Sequence, residues 1–113
     1  MDFEKLLVWQ RGKKLAVEMY RAFAHCRDLG FKSQLTRAAV SVPANIAEGM
    51  ERRSEREKAW FLSVAKAPCA ELRTHLIIAA EIGYLPVEPA DNWINETREL
   101  SRMLAGLINR ISN

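Results

Sequence analysis

The chain reads as an all-α protein, an antiparallel up-down-up-down four-helix bundle with a proline-kinked second helix. Three observations predict this fold. Apolar residues recur at alternating spacings of four and three in four successive segments, the pattern of one buried helical face. With 113 residues the chain suits a single domain with one core, residues 1–113. Only five Gly and four Pro are present, too few for the turns of a sandwich or barrel.

The first segment carries Val8, Gly12, Leu15, Met19, Ala22 and Cys26 in phase, widened by Trp9, Ala16 and Phe23. Leu29-Gly30 is expected to stop this helix, because glycine suits a left-handed exit. The second segment repeats the pattern with Leu35, Ala39, Val42, Ile46 and Gly49, the last expected as a C-terminal stop. In the third, Ser54 and Glu57 form a capping box ahead of Phe61, Ala65, Pro68, Leu72, His75, Ala79 and Ile82. That helix is expected to end at Gly83, with Pro86 shortly after. The fourth presents Trp93, Thr97, Leu100, Leu104, Leu107 and Ile111. Each stripe predicts a helix of about 30 Å at 1.5 Å per residue, and the four-three seam predicts shallow crossing angles.

The second segment breaks a rule. Pro43 has no amide hydrogen to give the carbonyl of Ala39, a defect of about 3 kcal/mol inside an unconstrained helix. The stripe nevertheless stays in phase across it, which favours a kinked but continuous helix, with Ser41 and Asn45 close enough to satisfy freed backbone groups. Small residues crowd the same stretch (Ala38, Ala39, Ser41, Ala44, Ala47 and Gly49), so another helix can approach closely. Arg37, Ser41, Asn45, Glu48 and Arg52 form a polar stripe beside the apolar one. The stripe has three readings: a solvated face, a polar close-packed contact with another helix or subunit, or a ligand or nucleic-acid surface. Arg37, Ser41, Asn45 and Glu48 are the candidate subunit contact.

Composition narrows the function. The apolar share of 49% is that of a globular protein. No apolar run approaches the roughly 20 residues that cross a bilayer, and the opening MDFEKLLVWQRGKK lacks the pattern of a signal peptide, so a cytoplasmic protein with no membrane partner is expected. The net charge of +3 is unevenly spread. Residues 1–58 hold 12 Lys/Arg against 8 Asp/Glu, and the remainder 5 against 6. A basic first half suits an anionic partner, RNA or DNA, with Lys13, Lys14, Lys32, Arg52, Arg53 and Arg56 as candidate phosphate contacts. Acids interleave with these bases in ERRSEREK, Glu51 to Lys58, which weakens the local field.

Catalytic and metal chemistry finds little support. A di-iron bundle needs two Glu-x-x-His motifs, and the chain has two histidines, with Glu71 and His75 four apart rather than three. His25 and Cys26 are adjacent and point to different faces, so a zinc site with Cys69 and His75 is disfavoured. Cys26 and Cys69 are expected as reduced thiols, and no glycine loop is built for phosphate. Ser41 has no nearby base. No catalytic residue, cofactor or small-molecule substrate is expected. Trp9 and Trp93 sit on apolar stripes as core residues. Trp60 is left between a core or interface role and base stacking.

The segment SQLTRAAVSVPANIAEG, Ser33 to Gly49, resembles the signature of the bacterial four-helix bundle family that includes proteins encoded by intervening sequences in 23S ribosomal RNA genes. LLVWQRGKKLAVEMY (Leu6 to Tyr20) resembles its opening helix. FLSVAKAPCAEL (Phe61 to Leu72) resembles its third, and EIGYL (Glu81 to Leu85) the end of that helix. Where the family usually carries Gly-Ser in the third helix, this chain has Ala67-Pro68, so any role of that hydroxyl does not transfer. The resemblance implies a homo-oligomer, characteristically a ring of five bundles. It also implies kinship with accessory proteins of diversity-generating retroelements, which bind nucleic acid and a reverse transcriptase. Members without that genetic context have no settled biochemical function. The expectation is therefore a non-catalytic homo-oligomeric scaffold, with nucleic-acid binding through a basic surface as the alternative.

Overall fold

The computed structural model describes residues 2–112. Among them are four α-helices and no strand: α1 (Leu7–Ala22), α2 (Leu29–Met50), α3 (Glu55–Glu81) and α4 (Val87–Ser112). A short 3₁₀ turn, Phe3–Lys5, precedes α1 and is capped by the Asp2 carboxylate. The molecule measures 43 × 20 × 20 Å. One cluster of buried side chains runs its length, with Met19, Leu35, Ile46, Leu62, Leu72 and Leu100 fully enclosed.

Helix α1 ends sooner than the apolar stripe suggests. Its 16 residues span about 24 Å, because Phe23 leaves helical geometry (φ −103°, ψ 13°) and Cys26 lies beyond the helix in a turn. Leu29-Gly30 does not stop α1. It opens α2, where the Asp28 carboxylate accepts the amide hydrogen of Phe31 at 3.1 Å and supplies the N-cap. Gly30 therefore has no left-handed turn to make, and among the described residues only Gly83 has a positive φ.

Helix α2 runs unbroken through Pro43, whose ring is buried against Gly12 of α1. The Asn45 amide donates to the Ser41 carbonyl at 2.8 Å, not to the Ala39 carbonyl that Pro43 frees. Gly49 is not the stop expected of it either. The helix continues to Met50, and Gly49 serves close approach: a Cβ built there would lie 2.7 Å from Phe61 Cβ on α3.

Helix α3 begins as its capping box predicts. The Glu57 amide donates to Ser54 Oγ at 3.0 Å, and the Ser54 hydroxyl donates to the Glu57 carboxylate at 3.1 Å. It ends at Gly83 with φ +81°, where the amides of Tyr84 and Gly83 reach back to the carbonyls of Ala79 (2.8 Å) and Ala80 (3.3 Å). This is a Schellman closure, and glycine relieves the Cβ penalty of the left-handed residue. Helix α4 then starts behind Pro86, whose carbonyl accepts from Ala90.

Contacts from α1 to α2 and from α2 to α3 run in descending order along the partner. Gly12 meets Val42 and Pro43, while Phe23 meets Phe31. Gln34 hydrogen-bonds His75, while Gly49 meets Phe61. Arg73 bonds Thr97 and Ser101 across α3 and α4. Of the helix pairs in contact, α1 and α4 touch least, and that flank is bridged by Arg11, whose guanidinium donates twice to the Glu96 carboxylate, from Nε at 2.9 Å and from Nη2.

Candidate interaction surface

The polar stripe of α2 follows from its helical spacing. Arg37 and Glu48 are exposed, while Ser41 and Asn45 are half-buried. Ala44 is exposed between them, so the middle of the face carries no bulk. Glu48 does not project freely: it holds Arg52 in an ion pair at 2.8 Å. These four positions thus lie along one outward side of α2, ending at the α2–α3 connection.

At that connection the chain builds a corner of arginines and aromatics. Gly49 lets α3 come close enough for Phe61 to reach Arg52, whose guanidinium carbon sits 4.6 Å from the ring centroid. Trp60 packs edge-on against Phe61, with centroids 4.9 Å apart at 88°. Trp60 is neither core nor covered by another element of this chain: 60% of it is exposed. Arg53 and Arg56 are exposed, and an open groove of about 610 Å³ is lined by Arg52, Arg56, Glu57, Trp60, Phe61 and Ser63.

The six candidate phosphate contacts do not form one patch. Arg52, Arg53 and Arg56 share the corner. Lys32 is 20 residues before Arg52, about 30 Å away along α2, and its ammonium donates to the Ala24 carbonyl at 3.2 Å. Lys13 and Lys14 are exposed on α1, Lys13 lying over the Trp9 ring at 5.7 Å.

The opposite end is closed by an aromatic cluster. Phe31 packs against Phe23, His75 and Tyr84, and the Tyr84 hydroxyl donates to Asp28 at 2.7 Å. That bond, with the Phe31 amide, holds the Asp28 carboxyl below its ordinary range, and Asp28 in turn pushes the Tyr84 phenol up. His75 is half-buried, with hydrogen bonds to the Glu71 carbonyl (2.8 Å) and Gln34 (3.2 Å). Both cysteines are free thiols, and burial raises the pKa of Cys69.

Sequence reasoning does not single out the outer side of α3. There Trp60, Ile77, Ile78 and Ile82 are all exposed. Ile82 is a correction, since the sequence pattern placed it on the buried stripe and it lies past the last turn of α3, in water; for Trp60, Ile77 and Ile78 the larger buried stripe hides the signal. No helix among the described residues is long and apolar enough to cross a membrane.

A protein of unknown function from the S23 ribosomal protein family of Bacteroides thetaiotaomicron shares the fold, with a TM-score of 0.84. It is 21% identical, and the match covers 90% of this chain and 98% of that one. No curated protein matches the sequence. The sequence model described as 23S rRNA-intervening sequence protein matches residues 4–106. That match takes in the first three helices and most of α4, and the chain belongs to the 23S rRNA-intervening sequence protein family.

Proposed function

We propose that this chain is a non-catalytic, homo-oligomeric helical bundle that acts as an assembly scaffold. The observation that carries the reading is the outer side of α3, where Trp60, Ile77, Ile78 and Ile82 stand in water although the core is already filled. Ile77, Ile78 and Ile82 stand near one end of α3 and Trp60 near the other, and an exposed apolar cluster of the first kind favours association. The small middle of the α2 face, Ser41 and Ala44, favours close approach on the neighbouring side. Sedimentation equilibrium over a concentration ladder tests it. Self-association of the 12.9 kDa chain at micromolar concentration is expected. A monomer throughout the ladder would overturn the reading.

A second reading, binding of RNA or DNA, is favoured by the corner itself, where Arg52 and Arg56 line one groove with an exposed tryptophan able to stack a base and Arg53 is exposed nearby in the chain. Fluorescence anisotropy with a labelled single strand at about 50 mM salt tests it. Each neutralised phosphate adds about −0.7 to the salt slope, so Arg53→Ala and Arg56→Ala each flatten the slope if they hold phosphates. Absence of binding at that salt would remove this reading and leave the first intact.

A further inference from the structure

Between α3 and α4 lies an open groove of about 610 Å³, with Ile77, Ala80 and Glu81 on the α3 wall. Val87, Asp91, Ile94 and Arg98 line the α4 wall. These four recur at spacings of four, three and four, so they form one row along about 16 Å of helix. Between the charged residues the lining is apolar. Ile94 is buried at the base, while Ile77 and Val87 are 38% and 63% exposed above it. Both are large apolar side chains that the bundle's own core leaves in water.

The groove has a sign at each end. From residue 74 to residue 97 the sequence holds Glu81, Glu88, Asp91 and Glu96 and no lysine or arginine. Glu96 is neutralised by Arg11. Glu81 and Asp91 are exposed, and neither takes part in an ion pair among the described residues. Two free carboxylates therefore stand at the end nearest the α3–α4 connection. At the other end Arg98 is exposed and donates to the neutral Asn95 amide oxygen at 3.0 Å, so its charge also has no counter-ion. The carboxylate end is negative on a chain whose net charge is +3.

From this we infer that the α3–α4 groove is the docking site for a cationic amphipathic helix of another protein. A helix laid between two others presents its apolar residues at i, i+4 and i+7, and here they meet Val87, Ile77 and Ile94. Lysine or arginine at one end of that helix meets Glu81 and Asp91. A carboxylate at its other end meets Arg98, and the two signs fix its direction. A polyanion is repelled at the carboxylate end, so RNA and DNA are not the occupants. This partner is distinct from the self-association proposed above, which uses the outward side of α3: Ile78 stands about 100° round that helix from Ile77.

A labelled synthetic peptide of about four helical turns tests it, with leucine along one face and lysine on the flanking positions. The control has glutamate in place of every lysine. By fluorescence anisotropy at about 50 mM salt, the lysine peptide should bind at least about tenfold more tightly than the control. Amide shift changes should centre on Ile77, Val87, Asp91 and Ile94. Glu81→Lys with Asp91→Lys should weaken the lysine peptide about tenfold and strengthen the glutamate peptide. Val87→Ser leaves every charge in place and should weaken the lysine peptide about threefold. All three substituted side chains are exposed, so the fold is retained. No binding at about 1 mM peptide, shift changes outside the groove, or an affinity indifferent to the charge reversal would overturn the inference. So would a charge reversal that dissociates an assembly of the chain, since a neighbouring copy would then be the occupant. A monomeric wild-type chain that binds the peptide in the groove would remove the self-association reading and leave this one standing.

Discussion

Gly12, Gly49 and Gly106 all lie inside helices, and the surroundings of each predict a different response to alanine. At Gly49 a Cβ would sit 2.7 Å from Phe61 Cβ and 3.4 Å from the Lys58 carbonyl oxygen. Carbon atoms pack at about 3.5–4.0 Å, so the shortfall against Phe61 is about 1 Å. Phe61 Cβ is bonded to its backbone and cannot swing aside, so the first turns of α3 must move. Overpacking of this kind costs about 1–3 kcal/mol, against which alanine regains up to about 1 kcal/mol of helix propensity. Gly49→Ala is expected to lose about 1–2 kcal/mol. Gly106 has nothing within 4 Å, so Gly106→Ala is expected to gain about 0.5–1 kcal/mol. Gly12 would place its Cβ at ordinary distances of 3.5, 3.6 and 3.7 Å from Val42 and Pro43, so Gly12→Ala is neutral or stabilising. Urea unfolding measures all three, with constant m-values showing that only stability has changed. Equal stability of Gly49→Ala and Gly106→Ala would refute the close α2–α3 approach, and with it the placement of Arg52, Trp60 and Phe61.

Other expectations follow from the connections between helices. A double-mutant cycle on Arg11→Ala and Glu96→Ala should give a coupling of about 1 kcal/mol, above the usual surface pair because the contact is two-pronged and bridges the sparsest helix pair. Ser54→Ala should cost about 1 kcal/mol in the same unfolding assay, since the Glu57 amide loses its cap. Asp28 has a folded pKa below the ordinary 3.8, so its contribution is present above that value and is lost as pH falls through the folded pKa. Asp28→Asn should therefore flatten the acid limb of the stability profile, and Tyr84→Phe should raise the carboxyl pKa seen by NMR titration.

The helices are legible in the sequence because burial dictates period, and the four stripes from Val8 to Ile111 are in phase with the observed core except at two helix ends, where Ala22 and Ile82 are exposed. Capping at Ser54 and Gly83 is equally readable, since those motifs have a chemistry that depends on only a few neighbouring residues. The errors share one cause. Gly30 and Gly49 read as helix stops because glycine suits left-handed exits, whereas one follows the Asp28 cap and the other makes room for Phe61. Space across a helix pair is a tertiary property that local pattern does not encode. The polar stripe of α2 can be placed on an outward side from spacing alone, but the exposed apolar residues on the outer side of α3 cannot. Ile77 and Ile78 become conspicuous only once the buried face of the same helix is known. Likewise Trp60 sits next to a stripe residue, and only the fold shows that it faces water.

The central claim, that this bundle exists to meet copies of itself, is tested most directly by native mass spectrometry of the wild-type chain. An assembly at a multiple of 12.9 kDa is the predicted result, five copies being the ring that the family resemblance implies. A species at 12.9 kDa alone, at micromolar protein, would contradict the claim itself.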